Sequence, residues 1–485
     1  MPIDVASFEE YSAAIDRRLH DRLVSHLLQH VRAGQLQEDL CFALWRPSIG
    51  SQRFSALVFD CIMPEDGERL LRGNVCFTSE YLERATRIAA ERDAGLALLH
   101  NHLGPGWQGM SLDDIEAERQ RAAFVLAATH LPLLGLTVGT DEAWSARFWP
   151  RTAARCYERK WCSTVRVIGQ QLAVTFHPDL RPPPDYRDEL RRTVSVWGEK
   201  AQIQLVRTHV GIVGLGSVGR LVSESLARMG FERVSLIDFD VVEPHNLDRL
   251  LGAGTRDAQL RRLKVDVANE GFRAASTTAT TNVRAIPRSL VEEKGFRAAL
   301  DCDVLFSCVD RPWPRRILNH IAYAHLIPVI DGGIIVRMKQ SRFRGAEWSV
   351  RTAGPGRACL ACSGTFDPSL VDLERRGLLD DSSYLQGLDA DHALRRNENV
   401  FMFSMSLAAH EVMHLVGLVT GILGIHNLGD QRYHYNLRQM LVHDSTCIVG
   451  CESDGLVATG DSVYPPESLL RHRDGSLPPL ASPCE

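Results

Sequence analysis

The sequence has no excess of positive charge. Its 55 lysines and arginines stand against 60 aspartates and glutamates, a formal net charge of -5. Without a cationic field to meet a phosphate backbone, a general nucleic-acid binder is excluded and no nucleic-acid partner is expected. The first residues, MPIDVASFEEYSAA, lack the basic segment followed by an apolar one that marks a secretory signal, so a cytoplasmic location is expected. Long apolar runs are missing too. The longest, MHLVGLVTGILGI at 413–425, carries His414 and falls short of the roughly 20 residues of a membrane span, so it reads as a buried helix and no membrane partner is expected. There is no internal repeat and no long low-complexity tract. Twelve cysteines in such a chain point to metal or thiol chemistry rather than to a disulfide frame.

What is present is enough apolar sequence for large cores: 45% hydrophobic and 24% charged is the balance of a soluble globular chain. At about 150 residues per domain, 485 residues suggest about three units or two large ones. One boundary stands out. HPDLRPPPDYRDELRR holds three consecutive prolines, which neither a helix interior nor a central strand tolerates. It reads as a hinge between a domain over 1–178 and a domain over 179–470, whose own elements begin near 185, with RHRDGSLPPLASPCE (471–485) as a loose tail. The first domain mixes strand-like runs, FSALVFDCIM and GLALLH, with helical ones, SEYLERATRIAAERD and SLDDIEAERQRAAFVLAATH. The second alternates. THVGIVGLG, RVSLIDFD, DVLFSCVD and IPVIDGG read as buried strands and SVGRLVSESLARMG as a helix, which predicts a doubly wound parallel sheet with helices on both faces.

His100 and His102 close the apolar strand GLALLH with one residue between them, so both imidazoles project from one side, as two ligands of one metal must. Ser111 and Asp114 follow, Asp114 in the first turn of the next helix. Two histidines and one aspartate leave the fourth position of a zinc ion open, the arrangement of a catalytic site, and an upstream glutamate must then act as base. Glu38, in LQEDLCFALW just before an apolar strand, is the candidate. Asp113 is a rival to Asp114.

The pattern E…HxH…SxxD over roughly residues 20–150 resembles the JAB/MPN (JAMM) metallopeptidases, which cleave isopeptide or peptide bonds at the C-terminus of ubiquitin-like proteins. The resemblance implies Glu38 as general base, His100, His102 and Asp114 as zinc ligands, and Ser111 as the residue that steadies the tetrahedral intermediate. Two departures are visible: Leu103 follows His102 where the family usually has proline, and the gap to Ser111 is one residue longer.

The second constellation begins with GIVGLGSVG. Gly214, Gly216 and Gly219 stand at a strand-to-helix junction, where glycines permit a tight turn and let phosphate approach the helix N-terminus. Asp238 ends the next strand about 20 residues on and can bind ribose hydroxyls. Alone, this fits a dehydrogenase equally well. The residues that follow favour a triphosphate and magnesium over a nicotinamide: Asp238, Asp240, Asn246 and Arg249 in DFDVVEPHNLDRL, Lys264 on the helix expected next, and Asp310 at the end of DVLFSCVD. The set resembles the ThiF/MoeB and ubiquitin-activating-enzyme superfamily over roughly 185–455. That resemblance implies ATP and Mg2+ as cofactors, with Gly214, Gly216, Gly219, Asp238 and Asp240 around the nucleotide. It implies Asn246, Arg249 and Lys264 on the phosphates and Asp310 on magnesium. Arg315 and Asn319 fall near the family's adenine-side helix, and Arg191 or Arg192 is the arginine that reaches the partner's site in a homodimer. The family's usual glutamine after the motif arginine is Leu250 here.

Cys359 and Cys362 form CxxC, and Cys447 and Cys451 form CxxxC. Four thiolates in two close pairs predict a structural zinc, and the thioredoxin-like context that a redox dithiol needs is missing. Cys41, Cys61, Cys302 and Cys308 lie in apolar strand-like runs and read as core residues. Cys156, Cys162 and Cys484 are uncommitted. The interval from Ser363 to Thr446 contains no cysteine, so the resemblance implies no thioester in the segment where such enzymes usually carry one.

Joined on one substrate, the two constellations suggest ATP-dependent adenylation of the C-terminus of a ubiquitin-like protein, with a zinc peptidase that processes the same modifier. A conjugating-type enzyme is then an expected partner, as in bacterial ubiquitin-like conjugation systems. Two alternatives stand beside it: a sulfur-carrier adenylyltransferase leading to a thiocarboxylate, and a non-catalytic scaffold that binds nucleotide and a ubiquitin-like partner. An intact Glu38, His100, His102 and Asp114 set speaks against the scaffold.

Overall fold

A computed structural model describes residues 4–72, 74–185, 187–339, 342–379, 399–421 and 424–465. The tail expected over 471–485, Cys484 included, lies outside the described residues. The chain forms two compact units. One is Met1–Pro183 with the short segments Ala324–Leu326 and Val457–Val463, and the other takes in Pro184–Tyr323 and Ile327–Leu456. The division falls within the three prolines. The two short segments that join the first unit carry no sequence mark that would separate them from the second.

The first unit is built on a nine-stranded mixed sheet. Its strand order is Lys160–Trp161, Trp144–Trp149, Leu133–Val138, Gly95–Asn101, Leu40–Ile49, Arg53–Ile62, Glu10–Asp16, Thr164–Ile168 and Leu172–Phe176. The apolar segment 165–176 is therefore a hairpin rather than one run. Strand alternation divides the side chains between two cores. Cys41, Ala43 and Trp45 pack on the side of the Arg17–Leu27 helix with Leu19, Leu23 and Leu27. Leu40, Phe42 and Leu44 pack on the other side with Tyr81, Ala85 and Ala89 of the Ser79–Glu91 helix and Ala122 and Val125 of the Leu112–Thr129 helix. Burying each such large side chain contributes about 1.5–3 kcal/mol. The Thr78 hydroxyl caps the Ser79–Glu91 helix by accepting from the Tyr81 N–H at 3.3 Å.

The second unit has an eight-stranded sheet. Asn282–Ile286, Arg233–Ile237, Val210–Val213, Val304–Ser307 and Val329–Lys339 run parallel. Arg342–Ala353, Asp430–His434 and Gln439–His443 then continue it antiparallel. The expected all-parallel sheet is corrected to a mixed one. IPVIDGG reads as a short buried strand, but it continues through GIIVRMK into a long hairpin whose outer part is only half-buried. Short hairpin links permit antiparallel neighbours, whereas a parallel strand needs a crossover. Cys302 precedes the Val304–Ser307 strand and Cys308 follows it, so neither lies within it. Both stay close to the core.

The apolar stretch at 413–425 belongs to a helix that starts earlier, Phe401–Thr420. Its 20 residues are long and apolar enough to cross a membrane by length and composition, more than the 413–425 stretch suggested. It is a core helix instead: Leu407, Leu415 and Leu418 are buried, and so are its Glu411 and His414.

Candidate functional site

The Gly95–Asn101 strand is buried throughout, and its alternation decides where the histidines go. Leu96 and Leu98 face the core beneath the Leu112–Thr129 helix, while Ala97 and Leu99 face the opposite core. His100 shares the parity of Leu96 and Leu98, and His102 follows just past the strand's end. Ser111 is the N-cap of the helix. Its hydroxyl accepts from the Asp114 N–H at 3.1 Å, and its own N–H donates to Asp114 Oδ2 at 2.8 Å, a capping box that fixes Asp114 at the third helical position.

There the three side chains meet. His100 Nε2 and His102 Nε2 lie 3.1 Å apart, His100 Nε2 is 3.4 Å from Asp114 Oδ1, and His102 Nε2 is 3.3 Å from Asp114 Oδ2. With nitrogen and oxygen ligands at about 2.1 Å, the edges of a zinc tetrahedron measure about 3.4 Å, so the donor set fits one ion. Asp113 is exposed and outside this cluster. Burial alone would push the Asp114 carboxyl up, but hydrogen bonds to His100 and His102, their charge and the Ser111 N–H hold it below the usual carboxylate range. Glu38 has the strand parity of Leu40 and Phe42, on the same side. Burial pushes its carboxyl up; His100 and His102 oppose the rise and Asp114 adds to it, so it stands within electrostatic reach of all three.

Beside the same His100 nitrogen is a network that sequence reasoning missed. Thr137 Oγ1 is 3.4 Å from His100 Nε2 and accepts from Arg147 Nη1 at 2.5 Å. The fully buried Arg147 also donates from Nε to Glu118 Oε2 at 3.0 Å, and Trp149 Nε1 donates to the same oxygen at 2.6 Å. Glu118 is four residues after Asp114, a helical spacing that the sequence does show, but nothing there separates a buried acid from a solvated one. The longer loop between His102 and Ser111 is held without the family's proline. Trp107 packs on Trp161 and His177, the Gln108 amide donates to Gly104 O at 3.0 Å, and Gly106 N–H donates to Asp141 Oδ1 at 2.8 Å.

In the second unit, Gly214 has φ +90°, and a Cβ there would sit 2.4 Å from the Cys308 carbonyl oxygen; one on Gly219 would sit 2.0 Å from the Gly214 oxygen. Gly216 caps the Ser217–Arg228 helix, whose first N–H groups form an anion site of the kind that phosphates occupy. Asp238, buried one residue past the Arg233–Ile237 strand, accepts from the Leu215 N–H at 2.6 Å and the Asp240 N–H at 2.8 Å. Burial pushes its carboxyl up and Lys264 draws it back. Lys264 Nζ is bonded to Asp240 Oδ2 at 2.7 Å. Asn246 and Arg249 are engaged within their own turn: Asn246 Oδ1 accepts from the Glu243 N–H at 3.1 Å, and Arg249 Nη1 donates to the His245 oxygen at 2.7 Å and Asp248 Oδ1 at 2.8 Å. Leu250 is buried in a small core with Val242, Ala258 and Val267, which accounts for an apolar residue at that position. Asp310 is exposed and lies three residues beyond the strand that was expected to end on it, because pairing stops at Ser307. Arg191 and Arg192 open the Arg191–Trp197 helix.

The two residues expected near the adenine have partners of their own within the unit. Arg315 is tied to Asp331 at 3.3 Å and donates to the Gly332 oxygen at 2.9 Å. Asn319 Oδ1 accepts from the Leu360 N–H at 2.8 Å, inside the CxxC turn. A residue missed altogether is Glu411, hidden in the apolar string LAAHEVMHLV. It is fully buried and accepts from the Cys308 thiol at 3.7 Å, directly behind the glycine turn, and burial pushes its carboxyl far up.

The sulfurs of Cys359, Cys362, Cys447 and Cys451 all lie within 4.8 Å of one another. Cys359 Sγ and Cys362 Sγ are 3.6 Å and 3.5 Å from Cys451 Sγ. Zn–S bonds of about 2.3 Å require sulfur edges of about 3.8 Å, so this set also fits an ion. The N–H groups of Cys359 and Cys362 donate to Cys447 Sγ at 3.2 Å and Cys359 Sγ at 3.3 Å.

Comparison with known proteins bears on the second unit. The model of the ThiF family matches residues 188–444. The chain is 31% identical over 163 residues to the molybdopterin-synthase adenylyltransferase of Escherichia coli (strain K12), covering 33% of this chain and 60% of that protein. It is 29% identical over 203 residues to the adenylyltransferase and sulfurtransferase MOCS3 of Mus musculus, covering 39% and 42%. It is 29% identical over 175 residues to the ubiquitin-like modifier-activating enzyme 5 of Drosophila virilis, covering 34% and 40%. The chain thus spans about half the length of these relatives. A solved structure of E. coli MccB with ATP superposes with a TM-score of 0.42 at 16% identity, over 55% of this chain and 74% of that one.

Proposed function

Since the chain belongs to the ThiF family, we propose that its second unit adenylates the C-terminal carboxylate of a ubiquitin-like protein and that its first unit is a zinc peptidase acting on the same modifier. In the first reaction a carboxylate oxygen of the modifier attacks the α-phosphorus of ATP, the bond to the bridging oxygen breaks, and pyrophosphate leaves as the acyl-adenylate forms. The observation that carries this half is the family match together with the glycine turn closed on Asp238. Gly214, Gly216 and Gly219 give the phosphates room and Asp238 and Asp240 hold the ribose side. Lys264, Asn246 and Arg249 would give up their present partners for the triphosphate, and Asp310 would hold Mg2+, which would offset the phosphate charge. Arg191 or Arg192 serves the partner's site in a homodimer. Charge stabilisation of this kind supplies most of the rate enhancement in phosphoryl and nucleotidyl transfer. Modifier-dependent exchange of pyrophosphate into ATP tests it: wild type exchanges, and Asp310→Ala exchanges about a hundredfold more slowly. Calorimetric binding of NAD in place of ATP would sink it.

The peptidase half rests on the meeting of His100, His102 and Asp114 with Glu38 beside them. A zinc ion held by those three would supply a Lewis acid that polarises the scissile carbonyl and acidifies water. Glu38 takes a proton from the attacking water as that water's oxygen bonds to the scissile carbonyl carbon, and delivers it to the leaving amine as the carbon–nitrogen bond breaks. Ser111, whose hydroxyl only accepts at the helix cap, donates its own proton to the developing oxyanion. Cleavage of a modifier fused at its C-terminus to a second protein tests this half; Glu38→Gln abolishes it while pyrophosphate exchange continues.

A second reading of the adenylate is favoured equally by the relatives whose names are adenylyltransferase and sulfurtransferase or molybdopterin-synthase adenylyltransferase. Here the acyl-adenylate goes to a thiocarboxylate instead of to a conjugating enzyme's cysteine. Incubating enzyme, ATP and modifier with a conjugating-type enzyme or with a sulfurtransferase separates the two by the product, a reducible thioester or a thiocarboxylate.

A further inference from the structure

The two strands that carry the peptidase site, Leu40–Ile49 and Gly95–Asn101, run antiparallel with Leu40 opposite His100. One step beyond, the Asn101 N–H donates to the Asp39 oxygen at 3.3 Å, as the ladder would continue. The return bond differs. Asp39 N–H donates at 2.6 Å to the side-chain oxygen of Asn101. The ladder is closed by the side chain of the residue that stands between the two histidines, and the chain parts from the sheet at Glu38.

Alternation separates the jobs of neighbouring residues. Glu38 has the parity of the site face, whereas Asp39 has the parity of Cys41 and Ala43 on the opposite core. Asp39 and Asn101 are both completely buried. On that far side the Asp39 carboxylate accepts from Gln29 Nε2 at 2.7 Å and from the Leu40 N–H at 2.8 Å. It is paired with the Arg69 guanidinium and faces His26 Nε2 at 3.6 Å and His30 Nε2 at 3.4 Å. A buried carboxylate with this many donors is held in one place. The Asn101 Nδ2 makes no hydrogen bond among the described residues, so the bond to Asp39 is the work of this amide's oxygen alone.

We infer that Asp39 and Asn101 form a clamp that positions the Glu38 carboxylate against His100 and His102, an inference that rests on the peptidase reading. Asp39 nails the backbone next to Glu38 from behind, and Asn101 ties that backbone to the strand end from which both histidines project. Neither touches the reacting atoms; both are positioning residues. A base must stand within about 0.5 Å of its working place, and a displacement of about 1 Å can slow a reaction about a hundredfold.

The test uses the full chain loaded with zinc and two substitutions. Asn101→Leu keeps the size and deletes the acceptor; Asn101→Asp keeps an oxygen for the Asp39 N–H. Cleavage of a modifier fusion, zinc per chain, and hydrogen exchange at the Asp39 amide are measured on each. The clamp predicts that Asn101→Leu lowers kcat about a hundredfold with KM within about twofold and zinc retained. It also predicts that the Asp39 amide exchanges at least about tenfold faster, and that Asn101→Asp recovers most of both. If Asn101→Leu keeps kcat within twofold, or loses its zinc, the clamp is overturned. If Asn101→Leu does not fold, Asp39→Asn takes its place: a loss of kcat of about tenfold with zinc retained supports the clamp, and an unchanged kcat overturns it. If the wild type cleaves no fusion, the peptidase reading fails by itself. The exchange rate then still decides the clamp, accelerated in Asn101→Leu if it exists and unchanged if it does not.

Discussion

The two candidate metal sites are built from opposite materials. In the first unit, a buried strand end and a helix N-terminus bring together two imidazoles and one carboxylate. In the second, two tight cysteine turns far apart in sequence bring together four thiolates. Three ligands leave one position of a tetrahedral ion for water or substrate; four leave none. What stands around each set agrees with its count. Glu38 is within electrostatic reach of the three-ligand set, with its carboxyl pushed up by burial, while the four-ligand set is stitched to its surroundings by N–H groups on sulfur and by Asn319 on Leu360. In the proposed reading one is arranged for chemistry and the other for holding the chain together.

The difference can be broken from either side. His100→Ala removes a ligand from the open site, and cleavage of a modifier fusion should fall about a thousandfold, equivalent to about 4 kcal/mol of lost transition-state stabilisation, with pyrophosphate exchange within about twofold of wild type. The converse change, Cys359→Ser, should act on folding rather than on one reaction. A structural metal contributes directly to folding, so removing one of its ligands should destabilise the second unit by about 3 kcal/mol, lowering its melting temperature by about 10 °C and reducing nucleotide exchange with it. Melting curves with and without a chelator read the same contrast: the second unit's transition should move and the first unit's should move much less. If chelation leaves both transitions in place while cleavage stops, the four-cysteine cluster is not a metal site.

Much of this contrast was legible in the sequence because it rests on short-range geometry. The HxH pair follows from period-two alternation, and the CxxC and CxxxC pairs from the reach of a tight turn. What was not legible depends on partners distant in sequence. Asp39 next to Glu38 looks like any surface acid in LQEDL, and only the fold brings Gln29, Arg69 and Asn101 to it. The partners of Arg315 and Asn319 were hidden in the same way: one is tied to Asp331 and the other to the CxxC turn. The parallel half of the second sheet was visible as strand–helix alternation. Its antiparallel extension was not, because the outer residues of Val329–Lys339 and its neighbours are only half-buried and carry a weak apolar signal.

The pH dependence of cleavage sharpens the comparison from the side of the base. Glu38 can take a proton only as a carboxylate. Burial raises its pKa, and the opposing charges of His100 and His102 do not cancel the rise. The carboxylate form therefore disappears at a higher pH than it would in an exposed glutamate. The acid limb of kcat/KM should lie above the ordinary range near 4.3, activity being present above it and lost as pH falls through it. A cleavage rate with no acid limb at all would mean that Glu38 is not the base. Pyrophosphate exchange, carried by the other unit, should not follow the same limb.

The smallest effect should come from the residue next to a ligand. Asp113 and Asp114 are adjacent acids in the same helical turn, and sequence spacing alone leaves either one eligible. The capping box decides between them. Ser111 binds Asp114 through both its hydroxyl and its N–H, which sets Asp114 at the third position of the helix and turns its two oxygens to His100 and His102. Asp113, at the second position, is exposed. Its one contribution is a negative charge near the positive end of the helix, worth about 0.3–1 kcal/mol to stability. Asp113→Asn should therefore keep full zinc content and a cleavage rate within about twofold of wild type, with a melting temperature about 1–3 °C lower at most. Asp114→Asn keeps the helix position but gives up the charge that faces both histidines, and should lose zinc and cleavage together. The pair of variants is decisive because the two side chains differ by one residue in sequence and by the whole site in space: equal losses in both would mean that the helix is set in another register and that the three-ligand cluster is wrong.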